Sequence, residues 1–436
     1  MVIKQNDRIL AYINDVCSQI KFREVHKEIQ LELKSHLQEI VEEYLSEGFS
    51  EDEAVGKAIA QMGSAEIVGR QLDKVHKPKP EWTVLTLSLL FAGLGLLSIY
   101  FMEKQGLFAS ASASIPMFTR SIAVIIIGAV VVTGLYLFDY RKLEPFSKHI
   151  YLGTVFALTV LLFVGQPVIG KPYFSVGFFS FDMAGISTIL FSIALAGILN
   201  KWDWNNSEKL AQLALLCLVP LILILASHSL ATGVIYCITC IALVIVSGAG
   251  PRDFLILTGL VSGMILLPII NDPYRLNRLT AFIHPEKDLS GMGWLGAQLS
   301  KLIDNSGLYG QGLALKPEYV PGLHTDFIFS YITFAFGWIA GGVLAVLVAV
   351  FIIRIMLIAT AVKSSYARLL VTGFVAIFAV QFLWNILMNL GFAPLIGVGL
   401  PFVSYGGSQL IFNAAALGII FSVYRRRNLS GPLIDG

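Results

Sequence analysis

Apolar runs long enough to cross a bilayer alternate with short polar segments over most of the chain, beginning near residue 83. Within each run the apolar residues are continuous, which indicates helices, whereas the strands of a membrane barrel would alternate. A helical span needs about 20 residues. The ten predicted spans lie at 83–102, 121–138, 150–168, 181–199, 209–226, 229–247, 253–270, 326–353, 366–390 and 405–424. The pattern therefore predicts an all-α, polytopic membrane protein.

The first 75 residues follow a different pattern. Leu33, Leu37 and Tyr44 recur at helical spacing, and Ser50 with Glu53 has the sequence of a capping box at the start of a further helix. The chain opens on polar residues, so we expect no cleavable signal peptide. The predicted domains are a cytosolic helical prefix at 1–75, a stiff Pro/Lys linker at 76–82, a membrane domain at 83–427 and a cytosolic tail at 428–436.

Composition supports this division. The chain is 56% hydrophobic and 14% charged, with a mean hydropathy of +0.74, whereas soluble domains are about a quarter charged. Residues 1–82 carry 11 basic and 15 acidic side chains, a balance of −4, and the remainder carries 20 and 14, a balance of +6. The two parts are thus different modules. Aliphatic neighbours around Cys237 and Cys240 favour buried small hydrophobes over a redox or metal site.

The distribution of Lys and Arg predicts the orientation in the membrane. One set of loops holds twelve basic residues, including Arg425, Arg426 and Arg427, while the short loops of the other set hold only Lys104, Arg120 and Lys171. Loops rich in Lys and Arg stay on the cytoplasmic side. We therefore expect a protein of the bacterial plasma membrane with both termini in the cytoplasm. We expect no nucleic-acid partner.

The largest polar interruption, at 271–325, separates the seventh and eighth spans and is predicted to be a large extracellular loop. Asp326 closes it and opens the eighth span. A carboxyl at the membrane–water boundary is partly desolvated, which raises its pKa and suits it to general-base chemistry. Its predicted place in the first turn of a helix has the opposite effect, because the helix dipole favours the ionised form.

Other polar residues of this loop are candidates for binding an anion. Arg275 and Arg278 are three residues apart and share a face of a helical turn. Two guanidinium groups suit a pyrophosphate, although anchoring to lipid headgroups is an alternative. His324 and Thr325 would orient the carboxylate of Asp326 or cap the helix.

Four sequence blocks carry a resemblance to a known family: YRLNRLTAF at 274–282, GQGL at 310–313, EYVPGLHTDFIF at 318–329 and PFVSYGGS at 401–408. In this order they resemble the FtsW/RodA/SpoVE family, the shape, elongation, division and sporulation (SEDS) proteins, over roughly residues 85–427. The resemblance implies ten spans with a large outer loop between the seventh and eighth. It also implies polymerisation of glycan strands from lipid II, with undecaprenyl pyrophosphate as the leaving group.

The same resemblance implies the roles of individual residues. Asp326 would be catalytic, and a single-span class B penicillin-binding protein would be the partner. A divalent cation, Mg or Mn, is an open possibility without assigned ligands. The residues expected to bind substrate or pyrophosphate are Arg275, Arg278, Lys316, His324 and Thr325. The residues expected to support them are Glu318, Gln298, Asn385, Asn389 and Ser404.

The first half of the chain departs from the usual family pattern. Pro172-Tyr173 stands in place of Arg-Trp, and residues 182–185 stand in place of Gln-Pro-Ser-Glu. A separate departure lies in the second half, where Gly322 stands in place of a Glu four residues before Asp326. The prefix resembles the permease-prefix or HAAS-type helical module, and its cytosolic partner is unknown. We predict a membrane peptidoglycan glycosyltransferase acting in cell-wall growth, division or sporulation. A non-catalytic scaffold or regulator and a precursor flippase are the alternatives, although spans without deep acidic residues count against a carrier.

Overall fold

The computed structural model describes residues 6–77, 80–108, 116–168, 171–176, 179–204, 208–284 and 292–427. The predicted tail at 428–436 lies outside these residues, as do parts of the predicted linker and outer loop. The chain divides into two compact units. One unit comprises Met1–Pro80 with Arg425–Gly436, and the other comprises Glu81–Tyr424.

The N-terminal unit is a small helical domain with its own apolar core. Its helices are α1 (Asp7–Ser18), α2 (His26–Ser46), α3 (Glu51–Met62) and α4 (Ala65–His76), and a short 3-10 turn, Arg23–Val25, leads into α2. The predicted capping box is confirmed, because Glu53 Oε2 accepts from the backbone N–H of Ser50 at 3.3 Å and from its hydroxyl at 2.8 Å. Apolar side chains at helical spacing, such as Leu37 and Val41, are fully buried.

The second unit is built of helices and one small sheet. Its helices are α5 (Trp82–Lys104), α6 (Met117–Leu137), α7 (Ser147–Val164), α8 (Met183–Asn200), α9 (Glu208–Ala226), α10 (Leu230–Val246), α11 (Pro251–Ile270), α12 (Pro273–Ile283), α13 (Met292–Asp304), α14 (Ile328–Ala361), α15 (Ser365–Asn389) and α16 (Gly407–Arg425). Within the described residues, nine helices are long and apolar enough to cross a membrane. The sixth predicted span corresponds to α10, an apolar helix of 17 residues. The helical prediction is thus confirmed, and the count of ten spans stays a prediction.

Three short antiparallel strands, which the apolar pattern does not predict, connect α7 to α8. They are β1 (Gln166–Val168), β2 (Lys171–Val176) and β3 (Phe179–Phe181), in the order β1-β2-β3. The third predicted span reaches residue 168, but α7 ends at Val164. Gly165 and Pro167 follow closely, and proline disfavours continuation of a helix because it has no backbone N–H to donate.

A proline inside α9 is accommodated by a tyrosine from another helix. Pro220 has no N–H to donate to the carbonyl of Leu216, four residues earlier. The hydroxyl of Tyr151, on α7, donates to that carbonyl at 3.1 Å. The backbone group that the proline leaves free is therefore satisfied within the protein, as an apolar surrounding requires.

The eighth predicted span, 326–353, is wrong in its extent and continuity. α14 has 34 residues and is broken at Gly337, whose φ and ψ are 87° and 173°. Backbone groups of residues 307–312, in the segment before Asp326, form hydrogen bonds with the α14 backbone groups that the break leaves without helical partners. Gln311 N–H donates to Phe334 O at 2.8 Å, and Trp338 N–H donates to Gly307 O at 3.0 Å.

Glycine is required where the loop meets the broken helix. Gly310 has a φ of +85°, and a Cβ atom there would lie 2.4 Å from the carbonyl oxygen of Ala335. A Cβ atom at Gly337 would lie 2.1 Å from the carbonyl oxygen of Leu308. Gly310 of the loop and Gly337 of α14 are thus positions of close backbone approach, where a side chain does not fit.

We predict that Gly310→Ala lowers the free energy of unfolding by about 1–3 kcal/mol, because alanine would be strained at this φ and would contact the α14 backbone. Thermal unfolding of the purified protein in detergent measures this. Gly342→Ala is the matched control, because Gly342 lies on the same helix with open space around it. It is expected to be neutral or stabilising, and equal stability of the two variants would contradict the prediction.

Candidate active site

Asp326 lies in a tight turn directly before α14. The carbonyl of Gly322 accepts hydrogen bonds from the backbone N–H groups of Thr325 (3.0 Å), Asp326 (3.0 Å) and Phe327 (3.1 Å). Gly322 has a φ of +74°, a left-handed conformation that glycine adopts without steric cost. The sequence analysis places Asp326 in the first turn of a helix, and this is wrong, because α14 begins two residues later.

Two asparagines one turn apart on α15 hold the carbonyl of Asp326. Asn385 Nδ2 donates to this oxygen at 2.8 Å and Asn389 Nδ2 at 3.1 Å. Asn385 Nδ2 also donates to Val398 O at 2.7 Å, and Asn389 Oδ1 accepts from Ser330 Oγ at 2.6 Å. Both asparagines are buried, where polar groups need hydrogen-bond partners. The pair therefore fixes the backbone position of Asp326.

The segment before α16 holds the two preceding carbonyls. Ser404 Oγ donates to Thr325 O at 2.5 Å, and the backbone N–H of Tyr405 donates to His324 O at 2.9 Å. Ser404 Oγ in turn accepts from Leu400 N–H at 2.7 Å. The three consecutive carbonyls of residues 324–326 are thus bound by groups from distant parts of the sequence. The folded unit, and not the local chain alone, sets the position of Asp326.

Burial and nearby charges act in opposite directions on the Asp326 carboxyl. Burial raises its pKa above the ordinary value, and the cationic side chains of Lys171 and Arg278 partly offset this by lowering the pKa. Lys171 begins β2, and Arg278 lies on α12. A carboxylate whose pKa is raised is a stronger base while it remains ionised. Lys171 and Arg278 therefore supply the effect that lowers the pKa of Asp326. The sequence-based expectation assigns this effect to a helix dipole, but Asp326 does not lie within a helix.

The hairpin strand β2 contributes residues that the sequence analysis does not propose for the site. Burial raises the pKa of Tyr173 to about 12, and the negative charges of Asp182 and Asp326 add to this effect. Lys171 lies two residues earlier on the strand. One signal marks it in the sequence, since it is among the few basic residues in the short loops that are predicted to face outward.

His324 packs between two aromatic rings beside the turn. Its ring centroid lies 5.2 Å from that of Phe108 and 5.7 Å from that of Tyr405. Burial lowers the pKa of the imidazole, which favours the neutral form. His324 is therefore placed to pack and orient the turn, and in its neutral form it would meet a pyrophosphate as a hydrogen-bond donor without positive charge.

The remaining predicted substrate-binding residues have partners of their own. Arg275, on α12, pairs with Asp272, with 3.1 Å between Nε and Oδ2. Lys316 Nζ donates to Gly106 O at 3.2 Å. Thr325 Oγ1 donates to Gly322 O at 3.1 Å, so this hydroxyl closes the turn.

Of the predicted basic residues, Arg278 is the one whose charge influences the Asp326 carboxyl.

Two predicted supporting residues lie together on the outer segment. Glu318 pairs with Lys301, with 2.8 Å between Oε1 and Nζ. With its amide oriented to satisfy both neighbours, Gln298 donates to Glu318 Oε2 at 2.9 Å and accepts from Trp294 Nε1 at 3.2 Å. This group joins α13 to the following segment, and its hydrogen bonds do not include Asp326. It supports the outer segment rather than the carboxylate directly.

A cavity of about 700 Å³ lies between α12, α13, α14 and the end of α15. Polar side chains in its wall include Arg278, Ser300, Asp304 and Asn389, among mainly apolar residues. Ligand sites of small molecules and cofactors have volumes of about 300–1,000 Å³. Two residues therefore belong both to this cavity and to the surroundings of Asp326: Arg278 influences its carboxyl, and Asn389 holds its carbonyl.

The proposed divalent cation receives no set of protein ligands. Over the described ranges, no three or more His, Cys, Asp or Glu side chains are grouped in a way that could hold a metal ion. The charged side chains that influence the Asp326 carboxyl are the cations Lys171 and Arg278.

This fold and site define a polytopic membrane protein with a half-buried carboxylate fixed in a turn directly before an apolar helix. The FtsW/RodA/SpoVE family model, described as "Cell cycle protein", matches residues 81–429. The chain belongs to this family. Residues 1–80 of the N-terminal unit lie outside the matched range.

Curated relatives agree with this assignment. Stage V sporulation protein E of Bacillus subtilis is 28% identical over 360 residues, which cover 80% of this chain and 98% of that protein. The probable peptidoglycan glycosyltransferase FtsW of Coxiella burnetii is 30% identical over 295 residues, which cover 64% of this chain and 78% of that protein.

Solved structures share the fold. A chain from work described as "Structural coordination of polymerization and crosslinking by a peptidoglycan synthase complex" has a TM-score of 0.68 and 24% identity, covering 80% of this chain and 99% of that chain. The rod shape determining protein RodA of Thermus thermophilus has a TM-score of 0.60 and 22% identity, covering 80% and 97% respectively. At these identities the likeness establishes the fold.

We predict that Asn385→Leu lowers the free energy of unfolding by about 1–3 kcal/mol, because the carbonyl of Val398 loses its side-chain donor and that of Asp326 keeps only one. Thermal unfolding of the purified protein measures the change. Asn413→Leu is the matched control, since Asn413 is also buried but its Nδ2 has no hydrogen-bond partner within the described part of the chain. If Asn413→Leu lowered the free energy of unfolding as much as Asn385→Leu, the loss would come from placing a leucine at a buried asparagine position. It would then not come from the lost hydrogen bonds.

Proposed function

We propose that this protein is a peptidoglycan glycosyltransferase that extends glycan strands from lipid II at the outer face of the bacterial plasma membrane, with Asp326 as its general base. The observation that carries the proposal is the fixed position of Asp326: a half-buried carboxylate in a turn held at three successive carbonyls, near the cations Lys171 and Arg278. The names of relatives such as the Coxiella burnetii protein support the same activity.

In the proposed reaction, Asp326 takes the proton from a hydroxyl of the acceptor sugar as that oxygen attacks the anomeric carbon of the donor. The bond from the anomeric carbon to the pyrophosphate oxygen breaks, and its electron pair leaves with the undecaprenyl pyrophosphate. The raised pKa of the carboxyl favours acceptance of the proton. The bond that forms is the new glycosidic linkage.

Arg278 is the residue best placed to stabilise the departing pyrophosphate. It lines the large cavity and also influences the Asp326 carboxyl. A guanidinium group can bind phosphate oxygens through two parallel hydrogen bonds. Lys171 would provide a second positive charge from the hairpin. Fixed cations aimed at a developing negative charge lower the barrier most when they are already positioned before the reaction.

The proposal includes an orientation and a partner. Both termini would lie in the cytoplasm, so that the segment before α14 faces outward, in agreement with the Lys and Arg distribution of the loops. A single-span class B penicillin-binding protein would be the partner, serving growth, division or sporulation. A structural relative comes from work on a peptidoglycan synthase complex that couples polymerization and crosslinking.

We predict that Asp326→Asn lowers the rate of glycan polymerisation by about 10²–10⁴-fold or more, because the amide is of similar size but cannot accept the proton. The assay uses lipid II and the purified protein together with the partner that co-purifies with it. Gel separation of the glycan chains measures the product.

Asp203→Asn is the control for this experiment. Asp203 is an acidic residue in the loop after α8 and pairs with Lys209, with 3.5 Å between Oδ2 and Nζ. Its variant should polymerise at the wild-type rate. Undiminished polymerisation by Asp326→Asn would reject Asp326 as the base, and a wild-type protein that supports cell-wall growth without polymerising lipid II would favour a scaffold.

We also predict a pH effect for Lys171→Met. The base must be ionised, so activity is lost as the pH falls through the pKa of the Asp326 carboxyl in the folded protein. Burial raises that pKa, and Lys171 lowers it. Removing the ammonium therefore raises the pKa further, and the acidic limb of the pH–rate profile should move to higher pH.

Lys104→Met is the matched control for this profile. Lys104 is another basic residue of an outward loop, and its ammonium lies 5.7 Å from the ring centroid of Tyr100. This variant should keep the wild-type acidic limb. A Lys171→Met profile that coincides with the wild-type profile, or moves to lower pH, would show that Lys171 does not control the ionisation of the base.

A further inference from the structure

The N-terminal unit includes more than the prefix itself. It takes in the C-terminal residues from Arg425 onward, of which Arg425, Arg426 and Arg427 are described. Arg425 is also the last residue of α16. The sequence analysis counts these three arginines as cytoplasmic charges and leaves the partner of the prefix open. The contacts inside the N-terminal unit bear on both points.

Glu24, in the short turn between α1 and α2, is the centre of these contacts. Arg426 binds its carboxylate with two donors: Nε donates to Oε2, and Nη2 donates to Oε1 at 2.8 Å. Arg425 Nη2 lies 3.5 Å from Oε1 of the same carboxylate. The guanidinium carbon of Arg425 also lies 5.2 Å from the ring centroid of Phe22.

Burial distinguishes this contact from an ordinary surface ion pair. The side chain of Arg426 is 0% exposed, and that of Glu24 is 29% exposed. Surface pairs contribute little, but a buried arginine that loses its carboxylate leaves an uncompensated charge and strongly destabilises its surroundings. Phe22 is itself buried at 7% exposure and presents its ring to the second arginine. The prefix therefore offers a formed site for two consecutive arginines.

We infer that the partner of the helical prefix is the chain's own C-terminal arginine segment, Arg425 and Arg426. Glu24 and Phe22 bind this segment. The segment is bound as an arginine-rich peptide would be: a bidentate pair to one carboxylate and a cation over one aromatic ring. A second protein that uses the same surface would first have to displace residues 425–426. This assignment does not depend on the proposed glycosyltransferase activity.

Hydrogen–deuterium exchange of the purified full-length protein in detergent tests the inference. Glu24→Arg and Arg426→Glu should each accelerate exchange of peptides covering residues 20–30 by about ten-fold or more, because each variant leaves like charges facing each other in a buried contact. The double variant with both substitutions exchanges the charges and should restore slow exchange. Glu32→Arg, at an exposed acidic residue of α2, is the control and should exchange like the wild type.

Thiol crosslinking is a second test of the same contact, and it does not require the charge variants to fold. Glu24→Cys combined with Arg426→Cys should be joined by a short bifunctional thiol reagent in the intact protein, whereas Glu32→Cys combined with Arg426→Cys should not. The inferred binding of residues 425–426 by Glu24 and Phe22 would be wrong if the single charge variants left the exchange unchanged. It would also be wrong if the two cysteine pairs crosslinked equally. Neither measurement uses polymerisation, so the outcome is separate from that of the Asp326 experiments.

Discussion

The candidate site depends on the capture of three successive backbone carbonyls, those of residues 324–326. Their donors are the N–H of Tyr405, the hydroxyl of Ser404 and the side-chain amides of Asn385 and Asn389. A carboxylate on a free loop would sample many positions, and ordering it during the reaction would cost entropy. Here that cost is met during folding, so the position of Asp326 is already set when a substrate arrives.

The same constraint shapes parts of the unit far from Asp326. Wherever a helix is interrupted, another segment supplies the missing hydrogen bonds. The hydroxyl of Tyr151 serves the carbonyl that Pro220 leaves free, and residues 307–312 serve the break at Gly337. In an apolar surrounding an unsatisfied backbone group is costly, so such irregular segments persist only with a partner. Residues 307–312 are thereby fixed against α14, the helix that follows Asp326.

The sequence predicts those features that depend on local pattern. Apolar run length predicts the helices, and one polar interruption identifies the loop that ends at Asp326. Contacts between distant segments are not contained in such patterns. Lys171 reaches the site on a strand without helical periodicity, and the break at Gly337 lies within an uninterrupted apolar run. From the sequence, Arg425 and Arg426 at the end of α16 indicate cytoplasmic charge, but their pairing with Glu24 depends on the folded N-terminal unit.

The position of the two cations links the strength of the base to the presence of substrate. Lys171 and Arg278 partly offset the rise in pKa that burial causes, which favours the ionised form of the Asp326 carboxyl. In the proposed reaction a pyrophosphate bound by the same cations would offset their positive charge. The carboxylate would then be affected mainly by burial, and its affinity for a proton would rise. Under this proposal, a carboxylate with two cationic neighbours from separate segments becomes more basic when the donor is bound.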